Sequence, residues 1–131
     1  MPNRGEINKP DRASQLRDFS GLRFGNITPT DIDGLIEYKN LGYVIFELKY
    51  MNTEIPKGQE LALERLTDDL QKSGKTCLCL ISNHQTSDCN IPIDAANTIV
   101  RRYRYKGKWR EGHSILTKDL IKRFFDNIDS F

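Results

Sequence analysis

A chain of 131 residues is close to the common size of one domain and can bury a hydrophobic core without disulfide or metal support. Its apolar fraction is 37%, with six Phe, five Tyr and one Trp, which argues against a fully disordered protein. The net charge is only +2, so a nucleic-acid partner can be predicted only from local patterns.

The sequence predicts a soluble cytoplasmic protein, of cellular or phage origin, that does not associate with membranes. No apolar run approaches the roughly 18 residues needed to cross a bilayer, and MPNRGEINKPDRASQ lacks the apolar stretch of a signal peptide. Three cysteines are too few for a disulfide scaffold, so reduced thiols are expected. We expect residues 1–15 to form a flexible polar arm and residues 16–131 to form a single domain.

The pattern of apolar residues predicts an α/β fold with a small mixed β-sheet and flanking helices. After a short helix near Ser14 to Phe19, the β-rich segments DIDGLIEY and YVIFELKY are separated by Lys39-Asn40-Leu41-Gly42, which predicts a β-hairpin. The apolar run TCLCLIS, residues 76–82, predicts a buried strand, and the helix before it is then a crossover. The apolar face of this amphipathic helix carries Gln59, Ala62, Leu63, Leu66 and Leu70.

Two further elements complete the predicted order α-β-β-(β)-α-β-β-α. Residues Thr98 to Tyr105 predict a strand that leads into a turn at Lys106-Gly107-Lys108. Apolar residues at helical spacing predict a final helix with Thr117 as its N-cap. Its apolar stripe consists of Leu120, Ile121, Phe124, Phe125 and Ile128.

Opposite charges interrupt the second strand of the hairpin. Because alternate side chains share a face, Glu47 and Lys49 of FELKY point one way while the apolar residues point the other. A charged pair on the inner face of a buried strand is costly unless it lies at a cleft or binds a ligand such as a metal. The position of this pair therefore favours a functional role.

The length of the hairpin loop decides which side chains meet this pair. A loop of three residues places Asp33 opposite Glu47 and Asp31 opposite Lys49, whereas a loop of two residues breaks this parity. Two carboxylates and an ammonium suit phosphodiester hydrolysis, since carboxylate oxygens hold Mg²⁺ or Mn²⁺ and a lysine stabilises phosphoryl charge. The predicted metal ligands are Asp33, Glu47 and the carbonyl of Leu48, with Asp31 as an auxiliary ligand or a cap. Lys49 is the predicted catalytic lysine.

The hairpin IDGLIEYKNLGYVIFELKY, with Asp33 and the Glu47-Leu48-Lys49 triplet, resembles the PD-(D/E)XK nuclease superfamily, in particular its resolvase-like and nuclease-related branches. The resemblance spans Thr30 to roughly Gly74 and implies a restriction-endonuclease-like core of order α-β-β-β-α-β. It implies a Mg²⁺-dependent DNA endonuclease, with branched DNA such as Holliday junctions among the expected substrates, and a catalytic role for Gln59. The family's Pro-Asp element lacks its proline here, so both aspartates stay open as the first carboxylate.

A second pattern predicts contacts with DNA. Residues 101–110, RRYRYKGKWR, hold six basic and three aromatic side chains and no acidic one. Such a mixture can bind phosphates and stack on exposed bases. The predicted contact residues are Arg101, Arg102, Arg104, Lys106, Lys108 and Trp109. The alternative is an edge strand with a solvated basic face, because basic and aromatic residues alternate along it.

Other interpretations of these residues remain. The hairpin charges could form surface ion pairs without function. The spacing of Cys77, Cys79, His84 and Cys89 partly matches a zinc knuckle, which would define a small zinc-dependent interaction module. The main alternative to an enzyme is a non-catalytic nucleic-acid-binding or regulatory protein that retains the nuclease fold. A symmetric cut of two strands needs two centres, so we expect a homodimer with the terminal helix and Phe131 in its interface.

Overall fold

The computed structural model describes residues 5–129, which are built around a five-stranded mixed sheet of order β1-β2-β3-β4-β5. The strands are Gly34–Tyr38 (β1), Gly42–Tyr50 (β2), Thr76–His84 (β3), Ile99–Tyr105 (β4) and Lys108–Glu111 (β5). β2 and β3 are parallel, and the other neighbours are antiparallel. The helices are Pro10–Ala13 (α1), Lys57–Lys72 (α2) and Thr117–Asp129 (α3), with 3-10 turns at Ser20–Leu22 and Ala95–Asn97. No helix within residues 5–129 is long and apolar enough to cross a membrane.

The β1–β2 hairpin has the loop length that brings the charged residues together. Tyr38 pairs with Gly42 across a three-residue loop. Asn40 lies in this loop with a left-handed φ of 59°, which asparagine tolerates better than most residues. Its N–H donates to the carboxylate of Glu37. With this loop length, Asp33 and Glu47 fall opposite each other on the same face of the hairpin, as the predicted site requires.

Helices cover both faces of the sheet, so that β2 and β3 are buried on both sides. The helix α2 is the crossover between these parallel strands, and with the sheet it buries a core of Ile45, Leu63, Cys77 and Cys79. The helix α3 covers the other face over a core of Val44, Leu78, Leu80, Val100, Leu120 and Phe124. Alternation along β2 directs Glu47 and Lys49 to the α2 face, as the sequence predicts.

The α/β class predicted from the sequence is confirmed, but the element order differs from α-β-β-β-α-β. Two strands rather than three precede α2. Met51, with a left-handed φ of 49°, ends β2, and the chain then reaches Pro56 and α2 without a further strand. The additional strands are β4 and β5, which follow β3. The restriction-endonuclease-like core stays a prediction.

The N-terminal region differs from the expected arm followed by a helix. Its helix covers Pro10–Ala13 instead of Ser14 to Phe19. No residue from 5 to 33 is buried, although Phe19 and Pro29 are half-buried. Irregular backbone thus continues past the predicted boundary at residue 15 and reaches β1.

Both long helices depart from the sequence prediction in detail. On α2, Ala62 and Leu66 of the predicted apolar face are exposed, and Thr67 is buried instead. Thr117 is the first residue of α3, and its hydroxyl bonds to Ser82 and Thr98 rather than capping the helix. A threonine at this position therefore ties α3 to β3 and to the start of β4.

The apolar stripe of α3 is largely used inside the domain. Leu120 and Phe124 are 6% and 5% exposed, and Phe125 stacks on Tyr38 with ring centroids 4.0 Å apart. Phe131 lies outside the described residues. The stripe therefore offers less apolar surface to a partner chain than the sequence predicts.

A β-bulge changes the direction of the basic strand. The pairing of β3 with β4 shifts between Ile81 and Ser82, so that Arg102 lies opposite Ile81 while Val100 lies opposite Ser82. Arg101 is the additional residue. Such a bulge brings two successive side chains toward the same face. Arg101 consequently joins Arg102 on the α2 side, where Glu47 also lies.

Candidate functional site

Four predicted site residues meet where β1 begins and β2 approaches its end. The main-chain N–H of Asp33 lies 3.4 Å from Oε2 of Glu47. Nζ of Lys49 lies 3.6 Å from Oε1 of the same carboxylate. Gln59, in the first turn of α2, is a further neighbour of Glu47, and its side chain acts to lower the pKa of that carboxyl group. The carboxylate of Glu47 is thus the centre of the cluster.

Asp33 reaches the cluster because β1 is short. β1 begins at Gly34, where a Cβ would lie only 1.9 Å from the ring of Phe46, so glycine permits the close approach. One residue earlier, Oδ2 of Asp33 accepts the main-chain N–H of Leu48 at 2.7 Å. A strand residue directs its N–H and its C=O toward the same neighbour. The carbonyl of Leu48 therefore points toward the Asp33 side of β2, as its N–H does.

The electrostatics of Glu47 follow from its burial beside a second carboxylate. The side chain is buried, with 3% of the residue exposed. Burial and then the charge of Asp33 raise the pKa of Glu47 to about 7, although Lys49 and the side chain of Gln59 oppose the shift. A carboxyl group with such a pKa exchanges its proton at neutral pH. A divalent cation would favour the ionised form.

Gln59 presents an unpaired acceptor to the same site. The residue is 8% exposed, and its Oε1 is buried without a hydrogen-bond partner among residues 5–129. Leaving such an oxygen unpaired costs about 1–3 kcal/mol. Its burial agrees with the predicted position on the sheet-facing side of the helix. The amide oxygen is therefore an unsatisfied acceptor, which a hydrogen-bond donor or a cation would satisfy.

The oxygen atoms around Glu47 fit a hard divalent cation. They come from the carboxylates of Asp33 and Glu47, from Oε1 of Gln59 and from the carbonyl of Leu48. Residues 5–129 contain no group of three or more His, Cys, Asp or Glu side chains arranged to hold an ion. Mg²⁺ is commonly bound through only one or two carboxylates together with water and substrate phosphate. Two carboxylates are therefore compatible with a magnesium site.

A cleft of about 730 Å³ opens beside this cluster. One wall is the segment from Asn26 to Asp31, and the other consists of the first turns of α2 and of Lys49. Asp31 is exposed in this wall and precedes β1, so it lines the same cleft as Lys49 but is not paired opposite it as the sequence predicts. Arg65 lies at the same cleft, and no motif in the sequence identifies it. The cleft gives solvent and ligands access to the cluster.

The structure places part of the basic segment against α2. Arg102 pairs with Glu60 at 3.1 Å. Arg104 binds Asp68 through two hydrogen bonds of 2.8 and 2.7 Å and lies 3.3 Å from Glu64. These carboxylates follow one another at four-residue spacing and so share one face of the helix. We call this arrangement the arginine ladder.

Trp109 completes the arginine ladder. Its Nε1 donates to Glu64 at 2.9 Å, and the guanidinium of Arg102 lies 5.0 Å from the centre of its ring. Nε of Arg102 is buried without a partner among the described residues. These interactions occupy three of the residues that were predicted to contact DNA. Their sequence pattern gave no sign of acidic partners, because those partners lie on a helix some forty residues earlier.

The other three predicted contact residues lie outside the arginine ladder. Lys106 and Lys108 are exposed on either side of the turn between β4 and β5, where Lys106 and Gly107 have positive φ of 51° and 78°. Arg101 lies at the opposite end of β4 and is half-buried. β4 itself is an interior strand, so the alternative of a solvated edge strand is wrong for residues 101–105, whereas β5 is the last strand of the sheet. The prediction of DNA contacts stays with these three residues.

The cysteines do not form the zinc site considered from the sequence. Cys77 and Cys79 are buried in the core beneath α2, whereas Cys89 is exposed. Burial raises the pKa of Cys77 to about 11 and that of Cys79 to about 12. Metal binding requires thiolates, and burial disfavours them here. The two buried cysteines are best explained by packing.

Comparison of the chain with protein-family models, with curated proteins and with solved structures gave no match. The functional interpretation therefore rests on the geometry. That geometry defines a mixed α/β domain with a buried carboxylate near the end of β2, flanked by a second carboxylate, a lysine and an unsatisfied amide oxygen.

Proposed function

We propose that this chain is a divalent-metal-dependent DNA endonuclease with a restriction-endonuclease-like, PD-(D/E)XK type of centre. The observation that carries the proposal is the position of Glu47: a buried carboxylate with Asp33, Lys49 and Gln59 around it, beside an open cleft. Structural ion pairs on a surface hairpin would not need a buried carboxylate or an unpaired amide oxygen.

Each residue has a role that its surroundings support. Asp33 and Glu47 would hold Mg²⁺ or Mn²⁺, with Oε1 of Gln59 and the carbonyl of Leu48 as further oxygen donors. The bound ion would supply a water of lowered pKa and would neutralise charge on the phosphoryl group. Lys49, whose side chain is 18% exposed, holds its ammonium near the ligands and would stabilise the negative charge that develops during attack.

The substrate that we propose is branched DNA, and the active form that we propose is a homodimer. One chain offers one centre, and symmetric cleavage of two strands needs two centres related by a two-fold axis. Phosphates would be bound by Arg101, Lys106 and Lys108, which are not part of the arginine ladder.

A cleavage screen tests the proposal. Branched, single-stranded and linear DNA are incubated with the protein and Mg²⁺, Mn²⁺ or EDTA, and cleavage of branched DNA only with the metals is expected. Glu47→Gln should abolish it, whereas Glu111→Gln, which changes an exposed carboxylate of β5, should not. Tight DNA binding without metal-dependent cleavage would overturn the proposal and favour the non-catalytic binding protein.

A further inference from the structure

A second cleft, of about 590 Å³, opens where the parallel strands β2 and β3 end. Its wall includes Thr98, which is hydrogen-bonded to Thr117 of α3, so it extends on the α3 side of the sheet. The cluster around Glu47 lies on the α2 side. The two sites share the end of β2, because Met51 lines this cleft and Lys49 lines the other. Clefts beyond the carboxyl ends of parallel strands are common ligand sites.

The polar groups of this cleft are suited to the edges of a heterocycle. Asn52 and Gln85 line it, and their side chains are exposed and make no hydrogen bond within residues 5–129. An amide offers both donors and an acceptor, as base recognition requires. Nδ1 of His84 accepts the N–H of Thr86 at 3.2 Å, which leaves Nε2 as a donor. The ring of His84 lies 5.7 Å from that of Tyr50.

Apolar side chains complete the lining. Ile93 and Ile99 are 40% and 42% exposed, and both face the cleft. A ligand with flat apolar faces and a polar rim matches this combination, which is the chemistry of a nucleobase. A volume of about 590 Å³ also lies within the usual range of small-ligand sites, about 300–1,000 Å³.

Arg101 connects this cleft with the candidate catalytic centre. Its Nε donates to Oδ1 of Asn83 at 2.8 Å, and its Nη2 donates to the carbonyl of Met51 at 3.1 Å. Asn83 lies opposite Lys49 in the β2–β3 register. Lys49 and Asn83 are therefore neighbours near the ends of β2 and β3, and Arg101 reaches both Asn83 and the residue that follows β2. A nucleic-acid backbone that crosses the ends of these strands would meet Lys49 of β2 and Arg101 of β4.

We infer that the cleft at the ends of β2 and β3 binds one unpaired nucleotide of DNA next to the phosphate held at Lys49. The inference rests on the proposed nuclease function and specifies its substrate. A paired base has its edge occupied and is stacked, so it cannot enter a cleft of this kind. The preferred substrate therefore contains an unpaired base close to the cut, as at the branch point or the flap of branched DNA.

Fluorescence anisotropy tests the inference with Ca²⁺ in place of Mg²⁺. The probes are a labelled DNA single strand and a blunt duplex of the same sequence. The double variant Asn52→Ala/Gln85→Ala removes two exposed side chains that hold nothing in the described fold. We expect it to weaken single-strand binding by about tenfold, and to leave duplex binding unchanged. The control Gln15→Ala/Asn90→Ala makes the same chemical change at exposed positions outside the cleft.

A second measurement reports on His84 directly. Titration with a deoxynucleoside monophosphate should shift the NMR signals of the His84 imidazole, and deoxyribose 5-phosphate, which lacks the base, should not. Equal losses for single strand and duplex, no loss at all, or no base-dependent shift would overturn the inference. The proposed nuclease function fails differently, through absence of metal-dependent cleavage by the unaltered protein while base-dependent binding persists.

Discussion

The carboxylate of Asp33 accepts the main-chain N–H of Leu48 at 2.7 Å. β1 begins one residue later, so this side chain satisfies a donor that a backbone carbonyl would take in a longer strand. The main chain of Asp33 in turn faces the carboxylate of Glu47. Asp33 therefore holds the end of the hairpin and belongs to the proposed metal site. Variants at this position need a probe of folding as well as one of activity.

The first prediction separates the proposed metal ligands from the proposed catalytic lysine. Asp33→Asn and Glu47→Gln should each weaken Mn²⁺ binding by at least about tenfold, since each removes an anionic ligand. Lys49→Ala should bind Mn²⁺ as the unaltered protein does, but it should lose most of the cleavage rate, because the lysine acts on charge in the transition state. Calorimetric titration with Mn²⁺ and single-turnover cleavage measure the two effects.

A matched control for these variants is Asp119→Asn. Asp119 is exposed in the first turn of α3 and takes no part in the cluster, so both measurements should be unaffected. Circular dichroism establishes that each variant is folded. Unchanged Mn²⁺ affinity in both carboxylate variants would remove them from the metal site.

The second prediction concerns pH. The folded protein raises the pKa of Glu47 from 4.5 to about 7, first through burial and then through the charge of Asp33. The unfolded chain thus loses this proton at lower pH than the folded protein does. The free energy of unfolding of the metal-free protein should therefore fall as the pH rises from about 4.5 to about 7, and stay low above that range. The shift corresponds to at most about 3 kcal/mol.

Urea denaturation in EDTA at pH 5 and pH 8 measures this change. Glu47→Gln cannot ionise, so its stability should vary less between the two values, and it should exceed the unaltered protein in stability at pH 8. Mn²⁺ affinity should rise with pH through about 7, because the proton on Glu47 competes with the ion. An identical pH dependence in the Gln variant would assign the effect to other groups.

The charged cluster could be predicted because it depends on local rules. A turn of three residues between two β-rich segments sets the parity of the hairpin, and parity alone decides that Asp33 lies beside Glu47. The helical spacing after Pro56 similarly places Gln59 on the face toward the sheet. These steps use only neighbouring residues and regular geometry.

The arginine ladder could not be predicted in the same way. Arg104 and Asp68 are 36 residues apart, and their contact depends on how α2 crosses the sheet, which periodicity does not specify. The bulge that turns Arg101 toward the α2 side likewise has no glycine or other clear signal in the strand. The sequence therefore predicts basic residues that face solvent or DNA, whereas Arg102 and Arg104 bind carboxylates of α2.

The third prediction tests the arginine ladder as a stabilising feature. Arg104→Ala should lower the free energy of unfolding by about 1–3 kcal/mol, because it leaves the partly buried carboxylate of Asp68 without its two hydrogen bonds. Lys106→Ala, an exposed residue in the same segment, should change it by less than about 0.5 kcal/mol. Urea denaturation compares the two, and equal effects would show that the ladder contributes nothing specific.

The fourth prediction divides the basic segment by its effect on DNA binding. Replacing Arg101, Lys106 and Lys108 with Ala should weaken binding to all sequences and flatten the log-log salt dependence by about one unit for each lost phosphate contact. Arg104→Gln should leave that slope unchanged, since its guanidinium already binds Asp68. Anisotropy titrations from low to moderate salt give both slopes. A flatter slope in the Arg104 variant alone would show that Arg104, and not the other three residues, contacts phosphate.

The last prediction concerns assembly. Under the proposed function, a chain of 15.1 kDa with one centre would cut both strands of a junction symmetrically only as a pair, so sedimentation at micromolar concentration should give twice that mass. Substituting Phe124 is not a suitable test of the interface, because this residue is 5% exposed and belongs to the core of its own chain.

A better test of the dimer mixes active protein with the Glu47→Gln variant. If two centres act together, mixed dimers should nick one strand where the active dimer cuts both, and the nicked fraction should rise with the share of inactive chains. A monomer that cuts both strands in a single encounter would contradict the dimer, whereas a monomer that only nicks would make a single strand or a flap the substrate.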